Sequence, residues 1–199
     1  EDGTMDEIGG SIGLHGLEYD DASGILYGSD GSSLYTVDMA TGATTLIGSH
    51  NVGFTVIGMA GDGAGNMYAV TVDFTAISDL YEIDLDTGNA TSLGSTGMQL
   101  LYAQDLAFDK DNGLLYAAAY FGDGTPSGLY TIDTVTCNPT LVGNFQGGAE
   151  LTGFAIPYAG IVSFEPSSGS VDPNGAQHVV IVSVDATSLI PGDIITGDI

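Results

Sequence analysis

One pattern occurs three times in this chain of 199 residues, and its landmarks move together. Tyr35, Tyr81 and Tyr130 stand 46 and 49 residues apart; Asp38, Asp84 and Asp133 keep both offsets, as do Gly48, Gly94 and Gly143. The copies span about 14–48, 55–94 and 103–143. A repeat of this length is one supersecondary unit that cannot bury its own apolar face, so neighbouring copies must pack on one another. Each copy reads as four short strands. A first strand (17–19, 59–60, 106–108) meets a Gly-closed turn, then a Leu-Tyr or Met-Tyr strand, a second turn, a Leu-Tyr-x-x-Asp strand, and a last strand ending in Gly. Composition agrees: there are 31 Gly, and 20 Asp against 6 Glu, a bias toward the carboxylate that bonds its own backbone in turns. No stretch keeps a capped 3.6-residue period, so almost no helix is expected.

Four antiparallel strands in about 45 residues, with Gly and aromatic markers in every copy, form the unit of a β-propeller blade. The run Leu-Tyr-Thr-Ile-Asp followed by Thr and Gly resembles the blades of secreted bacterial propellers of the YVTN or kelch-like kind, over residues 14–157. Residues 4–9 read as the closing strand of a further blade, and 151–157 as the first strand of another. After Tyr158 the pattern changes. Residues 161–164 and 179–184 alternate apolar and polar side chains between Pro and Gly turns, and this segment resembles the opening of an Ig-like surface-protein domain. The expected fold is therefore all-β: propeller-like repeats in 1–158 and an incomplete Ig-like β-sandwich in 159–199.

Lys110 is the sole Lys or Arg against 26 acidic residues, a net charge of −25. No cationic patch exists to neutralise phosphate, so nucleic acid is excluded as a partner. Membrane insertion is not expected either, since no apolar run nears the roughly 18 residues of a spanning helix.

Catalytic signatures are missing: there is no GxSxG, P-loop, HExxH or CxxC. Among 26 acids some pair at a glycosidase separation is inevitable, so acid pairs point to nothing. No catalytic residue and no resident cofactor are assigned. Asp109 and Asp111 open a DxDxG-like loop that offers oxygens to Ca2+, although hairpin closure explains it more simply and the distal Glu is absent. Asn89 begins an N-x-[ST] sequon, and Thr134 lies in an Asp-Thr-aliphatic run that resembles a bacterial O-glycosylation acceptor, making covalent glycans an expectation. His15, His50 and His178 lack metal-ligand spacing and read as surface or turn residues. Cys137 aligns with Gly42 and Gly88, which implies positive φ and a place near the surface. The tyrosines at 27, 68 and 116 and at 35, 81 and 130 read as packing between blades.

An unfinished propeller beside an unfinished sandwich exposes strand edges, which are templates for further pairing; either these residues are a window of a longer secreted chain, or the missing strands come from a neighbouring copy. The expected function is that of a non-enzymatic extracellular or cell-surface structural protein, a pilus-like filament subunit joined to copies of itself by β-strand complementation. The rivals are a propeller adhesin or lectin of a larger secreted protein, binding glycan or Ca2+, and an accessory domain of a secreted hydrolase.

Overall fold

A computed structural model describes residues 12–102, 104–121, 125–156, 162–165 and 181–184. It divides into two units, 1–156 and 157–199, with the boundary two residues before the expected one. Among the described residues of the first unit, twelve strands form three four-stranded antiparallel sheets, each in sequential order. Sheet one holds β1 (Gly16–Asp20), β2 (Ile25–Ser29), β3 (Ser33–Val37) and β4 (Thr44–Ser49). Sheet two holds β5 (Thr55–Gly61), β6 (Met67–Val72), β7 (Asp79–Ile83) and β8 (Ala90–Ser95). Sheet three holds β9 (Asp105–Asp109), β10 (Leu114–Ala119), β11 (Gly128–Ile132) and β12 (Pro139–Asn144). The fold is propeller-like, as the repeat implied.

The second unit contributes one described pair, β13 (Val162–Glu165) against β14 (Ile181–Val184), antiparallel from Val162↔Val184 to Glu165↔Ile181. These are the two alternating runs of the sequence. The remainder of the Ig-like reading, His178 and the strand at 4–9 lie outside the described residues.

The sheets stack face to face, and the joints between them are the core. Tyr27 and Leu34 of sheet one meet Met59, Met67, Ala69, Tyr81 and Ile83 of sheet two. Val70, Leu80 and Ala60 on the other side of sheet two meet Leu106, Leu115, Ala117 and Ile132 of sheet three. Alternation along each strand supplies both faces of the middle sheet. Full burial of one such aliphatic side chain contributes about 1.5–3 kcal/mol, so each joint holds a sizeable share of the stability. The tyrosine expectation holds where a joint exists: Tyr27 and Tyr81 are buried, Tyr68 stacks on Phe108 at 5.8 Å, and Tyr130 packs into the second joint.

Each third-to-fourth strand pair breaks register at the same place, between Leu34 and Tyr35, Leu80 and Tyr81, and Leu129 and Tyr130. The bulged residues are Ile47, Leu93 and Val142. Bulges twist an outer strand away from flat pairing, a protection these edges need because none carries Lys. The bulge also turns Ile47 and Leu93 toward the next sheet, where both pack against the joint clusters.

Glycines set how closely the sheets approach. A β-carbon on Gly48 would stand 2.1 Å from the Thr87 carbonyl oxygen, and one on Gly94 would stand 3.2 Å from Cys137 Sγ. Thus the last Gly of one sheet receives the β3–β4-type turn of the next. Gly143 is the third member of this series, and nothing lies within 4 Å of its would-be β-carbon. The described part of the strand expected at 151–157, residues 151–156, is not a strand, although it borders β9. Phe154 N–H donates to Asp105 Oδ2 at 2.8 Å, at the start of β9.

Candidate functional site

Because successive strands reverse direction, the β1–β2 and β3–β4 turns of every sheet share one end of the stack. The β2–β3 loops and the segments linking the sheets share the other. The two ends differ in chemistry.

The turn end is built on aspartates. Asp38 Oδ1 accepts the Ala40 and Thr41 amides at 3.0 and 2.8 Å, Asp84 accepts those of Asp86 and Thr87, and Asp133 those of Val135 and Thr136. The Thr41 and Thr87 hydroxyls for the first two, and the Thr136 amide for the third, hold these carboxyls below the usual range. The Ca2+ candidates follow the same plan. Asp109 Oδ1 accepts the Asp111 and Asn112 amides, both at 3.1 Å, while Oδ2 accepts Asn112 Nδ2 at 2.8 Å. Its oxygens close the turn, and the described residues contain no group of three His, Cys, Asp or Glu suited to a metal ion.

Both modification candidates are at this end. Asn89 is half-buried, and its Oδ1 accepts from Asn51 Nδ2 at 3.1 Å across the first joint. Thr134 is half-buried beside the Tyr68 hydroxyl of the neighbouring sheet. Both sites thus adjoin a joint.

Two sequence expectations need correction. His50 is not a surface residue; it is fully buried. Its Nδ1–H donates to the Gly88 carbonyl at 2.9 Å, leaving Nε2 to accept from Ser29 Oγ at 2.8 Å, so the ring bolts sheet one to sheet two. Burial pulls its pKa below the ordinary value, against the opposing pull of the Gly88 bond. Cys137 has the expected positive φ, 60°, but it is buried because Gly94 of the preceding sheet covers its turn. Burial pushes its thiol pKa up, away from reactivity. His15 is exposed, as expected.

Lys110, in the β9–β10 turn, bonds Asp21 of the β1–β2 turn, and its Nζ lies 3.7 Å from Glu18 Oε1. Glu18 Oε1 also accepts the Gly61 amide at 3.0 Å. One cation therefore ties all three sheets where their first strands converge. Burial raises the Glu18 pKa, and Lys110 partly offsets it. For Lys110, burial pulls down, but the Asp21 bond and the Glu18 charge outweigh it.

At the loop end the surface is aromatic. Phe54 is 43% exposed in the β4–β5 link, and Phe74 is 64% exposed in the β6–β7 loop. Both line one open groove of about 620 Å³ with Ser32, Thr55, Asp73 and Thr75. Phe74 meets Tyr102 edge to face at 5.3 Å, and Tyr102 lies 5.9 Å from Tyr120. None of these rings belongs to the repeat's tyrosine series, so the repeat register did not single them out. The signal available in the sequence was their position, as aromatic residues outside the strands, in loops and linking segments.

No protein-family model matches the chain, and no curated protein sequence does. Solved structures do resemble it. A chain of the nidogen/laminin complex aligns with a TM-score of 0.51 at 17% identity, covering 67% of this chain and 49% of that one. TolB from Acinetobacter baumannii aligns with a TM-score of 0.51 at 14% identity, covering 88% of this chain and 42% of that one. The chain spans less than half the length of either structure, and at these identities the likeness establishes the fold alone: the three sheets are propeller-like blades.

Proposed function

We propose that this protein is a non-enzymatic structural module of the cell exterior, a propeller sector that assembles because its two end sheets are completed by further sheets. The carrying observation is that positions buried inside the stack lie open at its ends. Leu34 and Leu80 are fully buried, whereas their equivalent Leu129 is half-buried. Ile47 and Leu93 pack into joints, whereas Val142 is 57% exposed. At the opposite end Leu17, the equivalent of buried Met59, is 53% exposed.

The completing strands come, in this reading, from a second copy of the chain. Residues 151–156, held beside β9 by the Phe154–Asp105 bond, begin the edge to which the neighbour adds, and the rest follows by strand complementation. Head-to-tail addition of this kind builds a filament. Sedimentation velocity and electron microscopy of the purified chain test it. Assemblies above the 20.2 kDa of one chain, weakened by Val142→Asp and by Gly143→Ala, support the reading. Monomers at every concentration would end it.

A further inference from the structure

We propose that the loop-end groove between sheets one and two is a binding site for a neutral saccharide, with Phe54 and Phe74 as the stacking rings. Every residue lining it belongs to the first two sheets or their link, so the site is complete whether or not the end sheets are covered.

Phe74 is held outward by its own turn. Asp73 Oδ1 accepts the Thr75 amide at 2.5 Å and the Thr75 hydroxyl at 2.6 Å, which closes the loop around the phenyl ring. Tyr102 then supports that ring edge-on from the next sheet-linking segment, and it does so at φ 60°. A left-handed conformation costs a residue other than Gly roughly 1–2 kcal/mol, so the fold accepts strain where Tyr102, itself exposed, meets the Phe74 ring. Two apolar rings in the open, with Phe74 braced by its turn and by Tyr102, are a prepared surface rather than core.

The rest of the groove fixes what they receive. The Ser32 and Thr55 side chains are exposed, and their hydroxyls make no hydrogen bond to the described residues. Asp73, whose carboxyl the Thr75 hydroxyl holds below the usual range, remains an acceptor at working pH. A wholly apolar partner would desolvate these groups without replacing their bonds to water. An anionic partner is repelled, because the net charge is −25 and the sole Lys lies in a turn at the opposite end. A sugar ring with an apolar C–H face and equatorial hydroxyls satisfies both halves: the face covers a phenyl, and the hydroxyls reach Ser32, Thr55 and Asp73. Apolar walls with a few placed polar groups are the usual make-up of such sites.

The test is titration calorimetry of the intact chain with a panel of neutral tetrasaccharides (gluco-, manno-, galacto- and xylo-configured), with choline and a sialylated trisaccharide as charged controls. At least one neutral sugar should bind, and Phe54→Ala and Phe74→Ala should each weaken it by about tenfold or more, with little change in Tm because both rings are exposed. Amide shifts in the unaltered protein should map to residues 32, 54–55 and 73–75, a readout that does not depend on the variants folding. No binding by any neutral sugar, binding indifferent to both variants, shifts elsewhere, or tighter binding of choline or the sialylated sugar would overturn the proposal.

Discussion

Gly48→Ala and Gly143→Ala place the same methyl group at equivalent positions of two sheets, and the structure assigns them opposite consequences. At Gly48 the new carbon would sit 2.1 Å from the Thr87 carbonyl oxygen and 3.2 Å from its carbonyl carbon. Both are backbone atoms, so no rotamer change relieves the contact, and the first joint must open. Overpacking costs about 1–3 kcal/mol, and a backbone obstacle puts this variant at about 3 kcal/mol or more. For a chain of this size each kcal/mol lowers Tm by about 2–4 °C, a fall of roughly 6–12 °C. At Gly143 no atom lies within 4 Å, and the φ is not left-handed, so stability should stay within about 0.5 kcal/mol of the parent. Differential scanning calorimetry, run dilute enough to keep the chain monomeric, compares them directly. Equal losses in both variants, or a Gly48→Ala chain as stable as the parent, would refute face-to-face stacking of the sheets.

Two further predictions concern charge. His50 is bound neutral in the fold with a depressed pKa, so the unfolded chain takes up its proton first as pH falls. Stability should drop as pH goes below about 6.5 and continue dropping to the folded-state pKa. Thermal melts from neutral to mildly acidic pH check this, and His50→Gln, which keeps a donor and an acceptor, should flatten that slope; an unchanged slope would count against the buried ring. Lys110→Met removes the charge that partly offsets burial at Glu18, so the Glu18 carboxyl should titrate still higher in NMR. A Glu18 titration that does not move would show that the three-sheet tie is not formed in solution.

The strands were legible because burial and register repeat with the motif. The first strands at 17–19, 59–60 and 106–108 fall inside β1, β5 and β9, and the shared tyrosines occupy equivalent places on β3, β7 and β11. What escaped was set between repeats. Cys137 shares its backbone geometry with Gly42 and Gly88, which sequence alignment exposes, but its burial depends on Gly94 of another sheet. His50 looked solitary by metal-site spacing. Its signal was the repeat offset: His50, Thr96 and Phe145 each donate a backbone N–H to Ser32, Ser78 and Ser127, and that shared position follows every last strand. The aromatic groove was invisible for the opposite reason, since Phe54 and Tyr102 come from segments linking the sheets, Phe74 comes from the β6–β7 loop, and only three-dimensional proximity unites them. The acidic DxDxG run was legible in both its readings, and the hydrogen bonds of Asp109 favour the turn.

Hydroxyl-radical footprinting of Val142 across a protein concentration series, with mass followed in parallel, reads whether the end sheets become covered. Val142 and Leu17 should be labelled in the dilute monomer and become protected as mass rises above 20.2 kDa, while Ile47 and Leu93, already packed in joints, should hold a constant lower reactivity. Because copies of like charge repel, added salt should shift protection to lower concentration. Val142 and Leu17 labelled equally at all concentrations and salt levels, in a chain that stays at 20.2 kDa, would overturn assembly through the end sheets.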